Sequence, residues 1–153
     1  MARLEAGQPA PGFSLKADDG STVDLASLRG TTVALYFYPK DDTTGCTAEA
    51  CEFRDMQADY AAAGVRVIGV SPDSLKSHLK FRDKHDLPFT LLSDPEHEAA
   101  EAYGVWVEKS MYGRTYMGIE RSTFVIGPDG VLVQALYKVK PKGHAASVLG
   151  LAR

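Results

Sequence analysis

The sequence predicts an α/β sandwich whose sheet has parallel strands at its centre and an antiparallel edge, covered by helices. Three observations predict it. Short apolar runs rich in strand formers, residues 32–39 (TVALYFYP), 65–70 (VRVIGV) and 122–127 (STFVIG), read as buried central strands. Stretches of helix formers separate them in alternation. Near the end, the turn-forming Pro128, Asp129 and Gly130 lead into strand-like VLVQALYKV, which makes residues 122–139 a hairpin.

Each remaining element has its own signal. Between the first two core strands, TAEACEFRDMQADYAAAG (47–64) carries Phe53, Met56, Tyr60 and Ala63 at three- to four-residue spacing, with Gly64 as a stop, so it reads as an amphipathic helix. Residues 73–87 form a second helix opened by an Asp or Ser cap, and 94–104 a shorter third. HAASVLGLAR (144–153) closes the chain as a fourth. LPFTLLSD (87–94) is a fourth strand candidate, with Pro88 pushing its start towards a sheet edge. No repeat, low-complexity tract or linker divides the 153 residues, so one domain spanning 1–153 is expected.

Bulk chemistry narrows the partners. With 44% hydrophobic and 24% charged residues the chain has the make-up of a soluble globular protein. Its 17 basic and 20 acidic residues give a net charge of −3, which supplies no positive field for nucleic acid or an anionic membrane, and KVKPK reads as a solvated chain end. The opening MARLEAGQPAPGF has an acid and two prolines where a secretory leader needs a basic start and an apolar run, and no segment approaches membrane-spanning length. A cytoplasmic location is expected, where thiols are kept reduced.

The chain has two cysteines, Cys46 and Cys51, both inside TTGCTAEAC. The preceding strand ends at Tyr38 and Pro39, KDDTTG forms a loop, and the helix starts near Gly45, which puts Cys46 in its first turn. There, unpaired N–H groups and the helix dipole favour an anion, so Cys46 is a candidate thiolate. Five residues of ideal helix separate Cα atoms by about 8.6 Å. A disulfide needs about 7 Å or less, so the spacing suits a bond that forms and breaks better than a permanent staple. A metal site would need more ligands than C-x4-C provides, and His78, His85, His97 and His144 are scattered and read as surface residues. Two inert buried thiols remain an alternative. Trp106, Tyr36, Phe37 and Tyr38 read as core or rim aromatics.

Pro39, Thr43 and Cys46 form P-x-x-x-T-x-x-C directly after a hydrophobic strand, and with this motif the sequence resembles the peroxiredoxins. YFYPKDDTTGCTAEACEFRD is similar to the bacterioferritin-comigratory, or peroxiredoxin Q, branch. The likeness extends through GQPAPGFSL, VIGVSPDSLKSHLKF and YGRTYMGIERSTFVIGPDG, with Arg121 entering a strand. Thr44 departs from the pattern, since many relatives have proline there.

The resemblance implies a thioredoxin-like three-layer sandwich with a central mixed sheet flanked by helices. It also implies a thiol peroxidase that reduces hydrogen peroxide and organic hydroperoxides without metal, haem or flavin. By similarity Cys46 is the peroxidatic nucleophile, Cys51 the resolving thiol that traps its sulfenic acid, and thioredoxin or a similar dithiol the reductant of a monomeric enzyme. Thr43 would bond sulfur and peroxide, Arg121 would hold the thiolate and the oxygens, and Pro39 would shield the sulfur. Glu49, one turn beyond Cys46, is placed to pair with Arg121 or to face solvent. A general thiol–disulfide oxidoreductase would show C-x-x-C, which is absent. A redox-switched binding or chaperone-like protein, whose helix change exposes a partner surface, is the reading from another class.

Overall fold

The computed structural model describes residues 3–152. Its main sheet has seven strands in the order β2-β1-β5-β4-β3-β8-β9, and β6 and β7 form a separate hairpin. The three apolar runs fold as β3 (Thr32–Phe37), β4 (Val65–Ser71) and β8 (Ser122–Ile126), all near the middle of the sheet. β3 and β4 are parallel, while β8 runs antiparallel to β3 and pairs in turn with β9 (Leu132–Leu136), completing the expected hairpin.

Alternation along β3 explains the layers. Leu35 and Phe37 face a core shared with Ile68, Val70, Phe124 and Tyr103, which α4 (Glu98–Ala102) and a 3-10 turn at Leu25–Leu28 cover. Ala34, Tyr36 and Tyr38 face the other way, into a core with Phe53, Tyr60, Phe81 and Val148. That face is covered by α1 (Thr44–Asp55), α2 (Gln57–Ala62), α3 (Leu75–His85) and α5 (His144–Ala152). One layer of helices thus lies on each side of a mixed sheet, the thioredoxin-like arrangement.

Several expectations need correction. The helix foreseen over 47–64 is two helices, broken at Met56 (φ −99°, ψ 10°), although Phe53 and Tyr60 still share a face with ring centroids 5.7 Å apart. Gly64 does end the second, at φ +73°. β5 (Thr90–Ser93) is not at an edge: it lies between β4 and β1 (Ser14–Ala17), because Pro88 falls before the strand and removes no ladder hydrogen bond. The edge on that side is β2 (Thr22–Asp24). The hairpin of β6 (Trp106–Met111) and β7 (Arg114–Ile119) had no assignment; it turns through Tyr112 and Gly113, both at positive φ, as a tight two-residue loop requires. KVKPK is not a chain end but the segment that leads into α5, and Arg153 of the expected last helix lies outside the described residues. Among those residues no helix is long and apolar enough to cross a membrane.

Gly69 on β4 makes room for this packing. A Cβ there would lie 3.0 Å from both Leu91 Cδ2 and Tyr36 Cζ, and Tyr36 in turn stacks on Phe53 of α1 at 4.7 Å. Gly69→Ala should therefore destabilise the protein by about 1–3 kcal/mol through overpacking. A urea midpoint equal to that of the parent would show that the ring can give way freely.

Candidate active site

Parallel pairing of β3 with β4 makes a helical crossover obligatory, and α1 begins it at the C-terminal end of the sheet. Antiparallel β8 arrives at that same end. Phe37, the last residue of β3, is opposite Ser122, the first of β8, so Arg121 meets the loop that leads into α1. Three expected site residues converge as a result. Arg121 Nη2 donates to Cys46 Sγ at 3.2 Å, and its Nη1 donates to Glu49 Oε1 at 2.7 Å. Cys46 and Glu49 stand on one face of α1, one turn apart, as i, i+3 spacing dictates.

The thiol and the carboxylate are out of water. Cys46 is 2% exposed and Glu49 fully buried, which decides between the two readings of Glu49 in favour of the arginine pair. Gly45 makes close approach possible, since a Cβ there would come within 3.2 Å of Arg121 Nη2 and 3.3 Å of Pro141 Cγ. Both cysteines are free thiols within the unbroken α1, Cys51 being half-buried.

Thr43 and Pro39 are placed differently. Thr43 occupies the N-cap position of α1 in extended backbone, but its hydroxyl donates to the Lys40 carbonyl at 2.9 Å and makes no cap bond. Pro39 is half-buried at the exit from β3. Thr44 takes the first helical position, where proline is pre-organised, so its presence leaves that turn less constrained.

The charges are coupled. Burial pushes Glu49 up to about 7, with Arg121 opposing and Glu52 adding to the rise. Arg121, though burial works against its charge, is raised by its contacts with Glu49 and with the Cys46 sulfur. The asymmetry is physical: the guanidinium has two partners, whereas the completely buried carboxylate has one and leaves Oε2 without a hydrogen bond. An open cleft of about 490 Å³, lined by Val107, Lys109, Glu120, Arg121 and Val139 among others, reaches the site from the Arg121 side.

Two histidines expected at the surface are buried. His78 bonds Asp41 and the Leu92 carbonyl, and His144 meets Thr123 Oγ1 at 2.6 Å and is held neutral, its pKa pushed down to about 4 by burial and Arg121. Their partners lie 14 to 37 residues away in sequence, so no local pattern marks them.

A thioredoxin-like sheet with a buried thiol at a helix N-terminus, held by an arginine from the neighbouring strand, defines a thiol-redox class of protein. Comparison with known proteins makes this specific. Residues 6–135 match the AhpC/TSA family. The chain is 53% identical over 146 residues to peroxiredoxin Bcp of Bacillus subtilis, covering 95% of this chain and 93% of that one. Among solved structures, a cysteine-to-serine mutant of Xylella fastidiosa PrxQ superposes with a TM-score of 0.92 at 36% identity, covering 98% of this chain and 96% of that one. Xanthomonas campestris bacterioferritin comigratory protein, described for its alkyl peroxide reduction activity, gives 0.87 at 41% identity, covering 92% of this chain and 89% of that one.

 The chain belongs to the AhpC/TSA family, in its bacterioferritin-comigratory (peroxiredoxin Q) branch.

The raised pKa of Glu49 has a measurable sign. A carboxyl that titrates near 4.5 when unfolded and near 7 when folded makes the folded protein bind more protons between those values, so its contribution to stability falls as pH rises from 4.5 through 7. Glu49→Gln removes that dependence. The stability of the parent relative to the variant should fall by on the order of 3 kcal/mol across this window. Parallel pH profiles in urea unfolding would show that Glu49 titrates normally.

Proposed function

We propose that this peroxiredoxin reduces hydrogen peroxide and organic hydroperoxides with Cys46 as nucleophile and Cys51 as resolving thiol, and that thioredoxin or a similar dithiol restores it. The observation that carries the reading is the 3.2 Å contact from the Arg121 guanidinium to the Cys46 sulfur at the N-terminus of α1. A fixed cation and unpaired helix N–H groups stabilise a thiolate there, and the same donors can hold the oxygens on which charge develops.

The chemistry balances in three steps. The Cys46 thiolate attacks the terminal oxygen of ROOH, the O–O bond breaks, sulfur is oxidised to the sulfenic acid, and the departing RO⁻ takes a proton to leave as water or alcohol. Thr43, whose hydroxyl proton is directed at the Lys40 carbonyl, keeps its oxygen lone pairs for the peroxide O–H. Pro39 limits water at the sulfur. Cys51 then displaces hydroxide from the sulfenic acid, forming a disulfide and water, and an external dithiol reduces that bond while becoming a disulfide itself.

Because Cys46 and Cys51 share one helix, five residues apart and about 8.6 Å between Cα atoms in ideal geometry, the bond requires unwinding part of α1. No second subunit is needed, which suits a monomer, and free thiols suit a reducing compartment such as the cytoplasm.

One equivalent of hydrogen peroxide, followed within seconds by a thiol-blocking reagent and intact mass measurement, tests the cycle. The expected product has lost two hydrogens and carries no blocking group, with reduced helical circular dichroism. Two blocked thiols and an otherwise unchanged mass would favour inert cysteines or a redox switch needing another oxidant. Gly45→Ala, despite its better helix propensity, should slow Cys46 oxidation by about tenfold by displacing the Arg121 donor. An unchanged rate constant in stopped-flow fluorescence of Trp106 would show that the guanidinium accommodates the added methyl without loss of rate.

A further inference from the structure

The loop between β3 and α1, residues 39–43, is fastened to α3 and to the turn before it by a buried polar network that the proposed peroxide chemistry does not itself use. Asp41 is at its centre. One carboxylate oxygen accepts from the Tyr38 hydroxyl at 2.6 Å, and the other from Ser77 Oγ at 2.8 Å and His78 Nδ1 at 2.7 Å. The backbone N–H of Asp41 donates to Asp73 Oδ2 at 2.8 Å, and Ser71 Oγ donates to that same oxygen at 2.6 Å. His78 is fully buried, and the Asp41 side chain is 3% exposed.

The other nitrogen of His78 decides its protonation. Nε2 lies 2.9 Å from the Leu92 carbonyl oxygen, which can only accept. A ring that donates to a carbonyl on one side and to a carboxylate already receiving two other donors on the other is an imidazolium. We infer that His78, as a buried imidazolium clamped between Asp41 and the Leu92 carbonyl, is a positioning residue for peroxide reduction: it fixes the loop that presents Thr43 and the first turn of α1 to the substrate.

The charges around the ring agree with this. Asp41 faces it from the loop and Asp73 from the turn after β4, with the phenol of Tyr38 and the hydroxyl of Ser77 completing the polar surroundings. Burial opposes the charge, yet the Asp41 hydrogen bond and charge, the Leu92 carbonyl and Asp73 together raise the pKa of His78 above the ordinary imidazole value. Asp41, Asp73 and His78 also bring ligand-type atoms within 4.8 Å of one another, but the atoms named above are already engaged with protein partners, so the cluster reads as a clamp and not as a cation site. A second anchor acts on the next residue: Asp42, in the left-handed region at φ +59°, receives Lys84 Nζ at 2.8 Å from the far end of α3.

This inference rests on the peroxidase reading, and a comparison of two reactions of Cys46 separates them. Iodoacetamide needs only an accessible thiolate, whereas peroxide also needs the oxygen-holding groups in place. His78→Phe keeps a ring in the core and removes both hydrogen bonds. It should slow oxidation by peroxide about tenfold or more while leaving alkylation within about twofold, since small displacements of positioning groups cost rate steeply. His78→Gln, which can still offer an N–H to Asp41, should recover part of the loss. If His78→Phe does not fold, Asp41→Asn carries the same expectation, and nitrogen NMR of the parent should show both ring nitrogens of His78 protonated at pH 7. Equal effects on both reactions, no effect on either, or a neutral ring would overturn the assignment. A parent protein inert to peroxide would instead overturn the peroxidase reading on which it stands.

Discussion

The register of β8 against β3 is the constraint on which the site depends. Phe37 pairs with Ser122, and every residue of β8 is buried, so the strand cannot slip by one position without turning its whole packed set to the wrong face. Arg121 is therefore delivered to the place where the chain leaves β3 for α1. The cysteine arrives independently, through the crossover that parallel β3 and β4 require. Two separate consequences of one sheet meet at 3.2 Å.

That meeting has an energetic cost. Glu49 is fully buried with one oxygen unpaired, and its carboxyl is held near neutrality in pKa by desolvation. A buried carboxylate with a single partner adds little net stability, because desolvation offsets most of the attraction. What it supplies is direction: Nη1 is tied to Glu49, which leaves Nη2 aimed at the sulfur. The tilt and reach of a flexible arginine are thereby fixed before any substrate arrives.

Much of this was legible in sequence, and the gaps have physical reasons. The central strands and Cys46 in a first helical turn followed from apolar runs and a loop of known length. Glu49 could be paired with Arg121 by helical spacing, although only burial chose between that and solvent. β1 and β2, of four and three residues, are too short to show a period, and the Tyr112–Gly113 turn lacks the Asn-Gly or Asp-Gly signature of a tight hairpin. The burial of His78 depends on Asp41, 37 residues earlier, and on a carbonyl of β5, neither of which a linear reading can bring to it.

The first turn of α1 is held by tertiary contacts and not by its own sequence. Thr43 makes no cap bond, the turn has no acidic residue, and Thr44, Gly45 and Thr47 are weak helix formers, so a missing cap and one glycine alone forgo about 1 kcal/mol each. The second half is better anchored, by the buried ring of Phe53, by Glu52 accepting from the Gly143 N–H, and by Arg54 donating to the His85 carbonyl. Arg121, bonded to both the sulfur and Glu49, is one of the contacts that hold the weak half, beside the burial of Cys46 and Ala50 in the core. On the proposed cycle, oxidation turns an anionic sulfur into a neutral sulfenic acid and so removes one of the two anions that hold the guanidinium. The reaction that creates the need for Cys51 to approach thus loosens the contact that keeps it away, while the anchored half confines the unwinding to the turns between the two cysteines.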